Sequence, residues 1–112
     1  MLIFHLCRRD EWDAALRGGR YEGSSQDKAD GFIHFSAADT VAESAARHRA
    51  GQAGLVLIAV EPARLGGMLK WEPARGGTLF PHLYGALETA HVKWVKDLPL
   101  GADGRHIFPP LD

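Results

Sequence analysis

The run "GLVLIAV", residues 54–60, is the longest unbroken apolar stretch of the chain. It falls far short of the roughly twenty residues that a membrane helix needs, and its branched side chains favour a strand, so it predicts a β-strand buried in a core. The surrounding chain has 112 residues, enough for one compact domain and too few for two ordinary ones. The expectation is a single domain over residues 1–112.

Other elements can be placed around that strand. "LIFHL", residues 2–6, reads as a first strand, and in "RRDEWDAALRGG" Trp12, Ala15 and Leu16 recur at helical spacing until Gly18 and Gly19 stop the pattern. "YEGSSQDKADG" is rich in turn formers and reads as a connection. "FIHFS", residues 32–36, reads as a second strand, with Ser36 and Asp39 offered as caps for a helix through "DTVAESAARHRAG". After the apolar strand, "MLKWE" is a short strand, "PARGGT" a loop, and "HVKWVKDL" and "HIF" two further strands. Two early helices and mostly late strands predict an α+β domain with a mainly antiparallel sheet.

Charge excludes some partners. The 13 Lys and Arg nearly balance 14 Asp and Glu, which leaves no electrostatic reason to seek nucleic acid or an acidic membrane. Cys7 is the only cysteine, so no internal disulfide forms, and no basic, apolar leader opens the sequence. The default location is the cytoplasm.

The polar residues on the predicted strands carry the functional signal. Side chains alternate along a strand, so His34 and Ser36 look one way while Ile33 and Phe35 look the other, and His5 points away from the face of Leu2, Phe4 and Leu6. If these strands are neighbours, two imidazoles and a hydroxyl line one cleft. Each histidine has a plainer reading as a hydrogen-bond partner of a nearby carbonyl, and Ser36 as a helix cap. A second cluster lies at residues 69–85: Lys70 and Glu72 share a strand face, and an Arg75-Gly76-Gly77 loop leads to His82 and Tyr84. Arginine beside paired glycines suits a phosphate, Glu72 a sugar hydroxyl or a partner in Lys70 or Arg75, and His82 and Tyr84 a pocket rim.

Several chemistries lack their motifs. There is no GxxxxGK[ST] or GxGxxG loop, no HExxH, no CxxC and no GxSxG. Cys7 is poorly placed to use His5 as a base. A zinc site from His34, His82 and Glu72 has suitable donors without ligand spacing, so the expectation is no bound metal.

"IFHL", "EWDAAL", "GFIHFS", "LVLIAVE", "LKWEP" and "FPHLYG" together resemble, in order and spacing, domain of unknown function family 952, over nearly the whole chain. The resemblance implies an ADP-ribosyltransferase-like fold, a split antiparallel sheet around an NAD-binding cleft. It implies a first-strand position at His5, a second at His34 with Ser36, and a third, glutamate position nearest to Glu72, with His82 its rival. On that basis His34, His5 and Glu72 are the expected catalytic residues, and Ser36, His82, Tyr84 and Arg75 the ligand-binding ones. The expected ligand is a small nucleotide, NAD or a related ADP-ribosyl or phosphorylated-ribose compound, with no resident cofactor. The alternatives are a non-catalytic nucleotide sensor and a metal-assisted hydrolase.

Overall fold

A computed structural model describes residues 1–112 apart from the side chain of Arg75. The elements in chain order are β1 (Ile3–Arg8), α1 (Arg9–Gly18), β2 (Arg20–Tyr21), α2 (Ser25–Asp30), β3 (Ile33–His34), β4 (Ser36–Ala37), α3 (Val41–His48), β5 (Leu55–Val60), β6 (Leu69–Pro73), β7 (Leu79–Leu83), β8 (Leu87–Glu88) and β9 (Val92–Leu98). Short 3₁₀ turns occupy Pro62–Met68, Arg75–Gly77 and Thr89–His91.

The apolar run becomes β5, and every one of its residues is buried. It lies inside a four-stranded sheet of order β4-β1-β5-β9, whose pairs are all antiparallel. Alternate β5 residues feed two separate cores. Val56, Ile58 and Val60 pack with Trp12, Tyr21, Ile33 and Phe35 on one side. Leu55, Leu57 and Ala59 pack with Phe4, Val41 and Leu98 on the other. A strand covered on both faces has no place for a polar residue, which accounts for the absence of alternation in "LVLIAV".

The second strand of the sequence reading is in fact two. β3 pairs with β7 in a three-stranded sheet of order β3-β7-β6, and β4 pairs with β1 in the four-stranded sheet. The change of partner falls at Phe35, whose N–H still reaches the Pro81 carbonyl at 3.0 Å before the chain departs. One five-residue stretch thus stitches the two main sheets together, and the antiparallel structure is split as expected. Phe35 is buried in the core beneath the seam.

Several other expectations change. The "SSQDKAD" connection contains a helix, α2, closed at its start by a reciprocal capping box: Ser24 Oγ accepts the Asp27 N–H, and Asp27 Oδ2 accepts the Ser24 N–H. There are accordingly three α-helices instead of two. Ser36 is not the cap of α3, which begins after Thr40 without a side-chain cap. Leu16 is 53% exposed, so only Trp12 and Ala15 of the α1 stripe reach the core. "HIF" forms no strand, only a single bridge between Leu100 and His106. Residues 79–83 and the two-residue pair β2–β8 are strands that the sequence pattern did not mark. No helix is long and apolar enough to cross a membrane.

Because Phe35 holds the seam from inside, Phe35→Ala is expected to cost about 3–5 kcal/mol, the range for truncating a buried aromatic ring. Equilibrium urea denaturation checks it. A loss below about 1 kcal/mol would mean that the seam is held by its hydrogen bonds alone.

Candidate functional site

The strand register sets the polar face. His34 on β3 stands directly opposite His82 on β7, and His82 stands opposite Lys70 on β6. Residues two apart share that face, so Glu72 joins it from β6. Ile33 and Leu83 take the opposite face into the core. The imidazoles of His34 and His82 meet edge to face with ring centres 5.7 Å apart. Phe32 covers them, stacked on His82 at 4.0 Å and tilted against His34 at 4.6 Å.

Each of these histidines has a carboxylate at Nδ1. His34 donates to Asp27 Oδ1 at 2.5 Å, and His82 donates to Glu72 Oε1 at 2.8 Å. Glu72 Oε1 also accepts the Tyr84 hydroxyl at 2.7 Å. Such a bond fixes which nitrogen carries the proton and how the ring is turned. The two rings then differ at Nε2. That of His34 lies 3.0 Å from Asp30 Oδ2, whereas that of His82 meets no hydrogen-bond partner among the described residues.

Asp27 organises the first pair. Its side chain is only 3% exposed, yet it accepts the N–H groups of Ser24 and His34 as well as the His34 ring. Burial alone would raise its pKa; the His34 hydrogen bond, the nearby His5 ring and the two backbone N–H groups outweigh this and hold it at about 2. The reciprocal effect raises His34: its hydrogen bond to Asp27 outweighs partial burial, and the charges of Asp27 and Asp30 add to it. His34 is therefore an imidazolium between two carboxylates.

His5 lies behind this pair. It faces away from Phe4 and Leu6 as expected, but the face it enters is the core of Trp12, Ile33 and Val56, where it is 3% exposed between the rings of Tyr21 and Phe35. The His34 carbonyl can only accept, so His5 Nδ1–H donates to it at 2.6 Å, and Nε2 accepts the Tyr21 hydroxyl at 2.7 Å. Burial, the largest influence, lowers the His5 pKa and keeps the ring neutral. Both nitrogens are spent on protein partners, so His5 positions β3 and does not present an open nitrogen to a ligand. Cys7 is no nucleophile here, since burial pushes its thiol up to about 12.

A cleft of about 1090 Å³ opens over this face, at the upper end of the ~300–1,000 Å³ usual for small-molecule sites. His5, His34, Ser36 and His82 all border it, with Arg8 and Arg49 further along. The structure thus brings four of the expected site residues to one cavity. Ser36 is buried and shares a hydrogen bond with Ser44 Oγ at 2.8 Å. Glu72 and Tyr84 stand outside the lining and act on His82; Tyr84 is exposed. The Arg75 side chain lies outside the described residues. Among the described residues Glu72 takes His82 and Tyr84 as hydrogen-bond partners, where the sequence suggested Lys70. Among the described residues no group of three or more His, Cys, Asp or Glu side chains is arranged to hold a metal ion.

Sequence reasoning missed Asp27, Asp30, Tyr21 and Phe32. The Ser24-to-Asp27 spacing of the capping box was the available signal, and it would have placed both aspartates, three residues apart, on one side of a short helix.

A family model for a protein of unknown function, DUF952, matches residues 6–95. The chain belongs to this family. It is 52% identical to protein CC0527 from Caulobacter crescentus, whose crystal structure superposes with a TM-score of 0.93 over 96% of this chain and 94% of that one. The solution structure of CC0527 gives 54% identity and a TM-score of 0.82, over 93% and 90% of the two chains. No curated protein matches.

The pKa shifts give a signed prediction. His34 is raised above its ordinary 6.5, so its pairing stabilises the fold fully below 6.5 and ceases to as pH rises through the raised value. Asp27 is lowered from 3.8 to about 2, so its contribution is present above 3.8 and lost as pH falls towards 2. His5 opposes both, because a lowered histidine destabilises the fold as pH falls below 6.5. The difference between wild type and His34→Gln isolates the pair. Denaturant midpoints across pH are expected to show that difference largest between roughly pH 4 and 6.5, shrinking at higher pH. A difference that grows above pH 7 would overturn the imidazolium assignment.

Proposed function

We propose that the cleft binds a phosphorylated-ribose ligand, with NAD and ADP-ribose as the fullest forms of it, and that His82 moves a proton on that ligand. The observation that carries this reading is the pair of imidazoles 5.7 Å apart, each turned by a carboxylate at Nδ1, on one wall of a cleft large enough for a nucleotide. A carboxylate-held imidazole with an open Nε2 presents one oriented nitrogen through which a proton can pass to or from a ligand. The His34 imidazolium is a fixed positive charge beside it, suited to an anionic oxygen. Arg8 and Arg49 add charge along the same cleft; Arg49 is braced by the Leu6 carbonyl and Gln52, which limits its freedom.

The resemblance of the family's motifs to the ADP-ribosyltransferase fold supports a nucleotide ligand more than it supports ADP-ribosyl transfer. Transfer through an oxocarbenium-like state wants a carboxylate facing the ribose, and Glu72 is committed to His82 and Tyr84 outside the cleft lining. Proton transfer at a phosphate or ribose hydroxyl needs no such carboxylate. A second reading, a non-catalytic sensor of the same ligands, is favoured by His34, whose two nitrogens are both held by carboxylates and so not free to shuttle protons.

Thermal shift against NAD, NADP, ADP-ribose and phosphorylated RNA ends, followed by calorimetry, tests the ligand class, because a compound that binds only the native state raises Tm. At least one is expected to bind, and His82→Gln to raise its Kd about two- to tenfold, the loss of one hydrogen bond of about 0.5–1.5 kcal/mol. A panel without a hit rejects the ligand class. Equal binding by the variant rejects the role of His82, and binding without turnover selects the sensor.

A further inference from the structure

Asp27 and Asp30 hold the two nitrogens of one imidazole, but they are not equivalent. Asp27 is buried, and its oxygens are committed to two backbone N–H groups. Asp30 is 38% exposed, and its second oxygen accepts only the side-chain amide of Gln26, itself on the surface. Asp30 is also the last residue of α2, followed by Gly31 with φ of 86°, so a turn of its side chain disturbs no further helix. His34 Nε2 is consequently a strong donor of the cleft that is stoppered by a group able to leave.

An anion that entered beside this arrangement would make a third negative charge around one imidazolium. Repulsion then favours exchange over addition: the incoming oxygen takes Nε2 and Asp30 turns to solvent. We propose that Asp30 is a resident stand-in for the ligand's anionic oxygen at His34 Nε2, and that by competition it sets the affinity an anion must bring to occupy that position. A tethered carboxylate competes at a high effective concentration, so a small free anion seldom wins the position. A phosphate carried on a nucleotide has further contacts along the cleft and does win. The apparent affinity of every anion is reduced by the fraction of time that Asp30 is away, and the reduction is the same factor for all of them. What differs is which ligands retain usable affinity afterwards. The cleft would in this way ignore inorganic phosphate while admitting phosphate esters. This rests on the anionic ligand of the proposed function, and extends it by assigning the subsite and its gatekeeper.

The test uses full-length protein with ¹⁵N-labelled histidine, wild type against Asp30→Asn, titrated separately with inorganic phosphate and with ADP-ribose while the His34 ring resonances are followed. Asparagine keeps the shape and an acceptor but removes the competing charge. Asp30→Asn is expected to bind inorganic phosphate at least fivefold more tightly, with the shift centred on His34 Nε2, and to keep the wild-type denaturation midpoint within the error expected for an exposed pair. Adding His34→Gln to it should abolish the gain. If ADP-ribose moves His34 in wild type but Asp30→Asn binds neither anion more tightly, Asp30 is a structural partner only and the ligand reading survives. If phosphate binding improves in Asp30→Asn while ADP-ribose moves no histidine in either protein, the Asp30 assignment stands and the phosphorylated-ribose reading falls. No shift at His34 with either anion in either protein overturns both.

Discussion

A carboxylate taken out of water has to be compensated at several places at once, and Asp27 finds that compensation in three parts of the chain. It closes the capping box that starts α2, takes the N–H of His34 and so fixes the entry into β3, grips the His34 ring, and lies 3.7 Å from His5 on β1. An ionised side chain with 3% exposure and no partners would be intolerable; with a charged donor and two backbone donors it is stable enough to sit near pKa 2. The same group that makes the fold specific at this corner therefore creates the imidazolium of the site. Removing the His34 ring leaves Asp27 buried without its charged partner, so stability and site chemistry are coupled through one residue.

That coupling needs β3 to stand beside α2 while the chain continues into the other sheet. The arrangement depends on a change of partner within five residues. His34 is still in register with His82, Phe35 bonds Pro81, and Ser36 is already in register with Phe4. The cleft follows from this geometry: two sheets that share a strand segment diverge on either side of it, and polar residues near the divergence face the gap. His5 serves as the internal brace, with the Tyr21 hydroxyl on one nitrogen and the His34 carbonyl on the other holding β1 and β3 at a fixed separation. A neutral ring suits that position, since a charged one in the same core would oppose folding.

The sequence was informative where one physical effect dominates. β5 was legible because a strand with two buried faces has only apolar residues, and α1 because Trp12 and Ala15 repeat at helical spacing. His34 was legible as a polar interruption of an apolar strand, and His82 as a ring at a pocket rim, without the strand that carries it. Where effects compete, the reading failed. "SSQDKAD" has no apolar stripe, so nothing in its periodicity marks a helix; α2 is held by a capping box and by the tertiary bonds of Asp27, which a local pattern does not display. "FIHFS" alternates as one strand should, and only its partners, which lie about fifty residues away on one side and thirty on the other, divide it into β3 and β4. Charge alone offered Glu72 its strand neighbour Lys70, yet strand register brings it to hydrogen-bond His82 and Tyr84.

The two histidine–carboxylate pairs are chemically alike at Nδ1 and opposite in what they leave available. His34 is held by a buried carboxylate and stoppered by an exposed one, so its proton is retained and its charge is its asset. His82 is held by Glu72, whose Oε1 is shared with Tyr84, and these two hydrogen bonds hold the carboxyl below its ordinary range. With Phe32 stacked on its face, the His82 ring is fixed in direction while Nε2 remains the atom turned from Glu72. In the proposed function one imidazole supplies charge and its neighbour 5.7 Å away passes a proton. That proposed division rests on environment, since one carboxylate is buried and the other is not, the same difference that lets paired titratable groups act as electrostatic anchor and proton carrier.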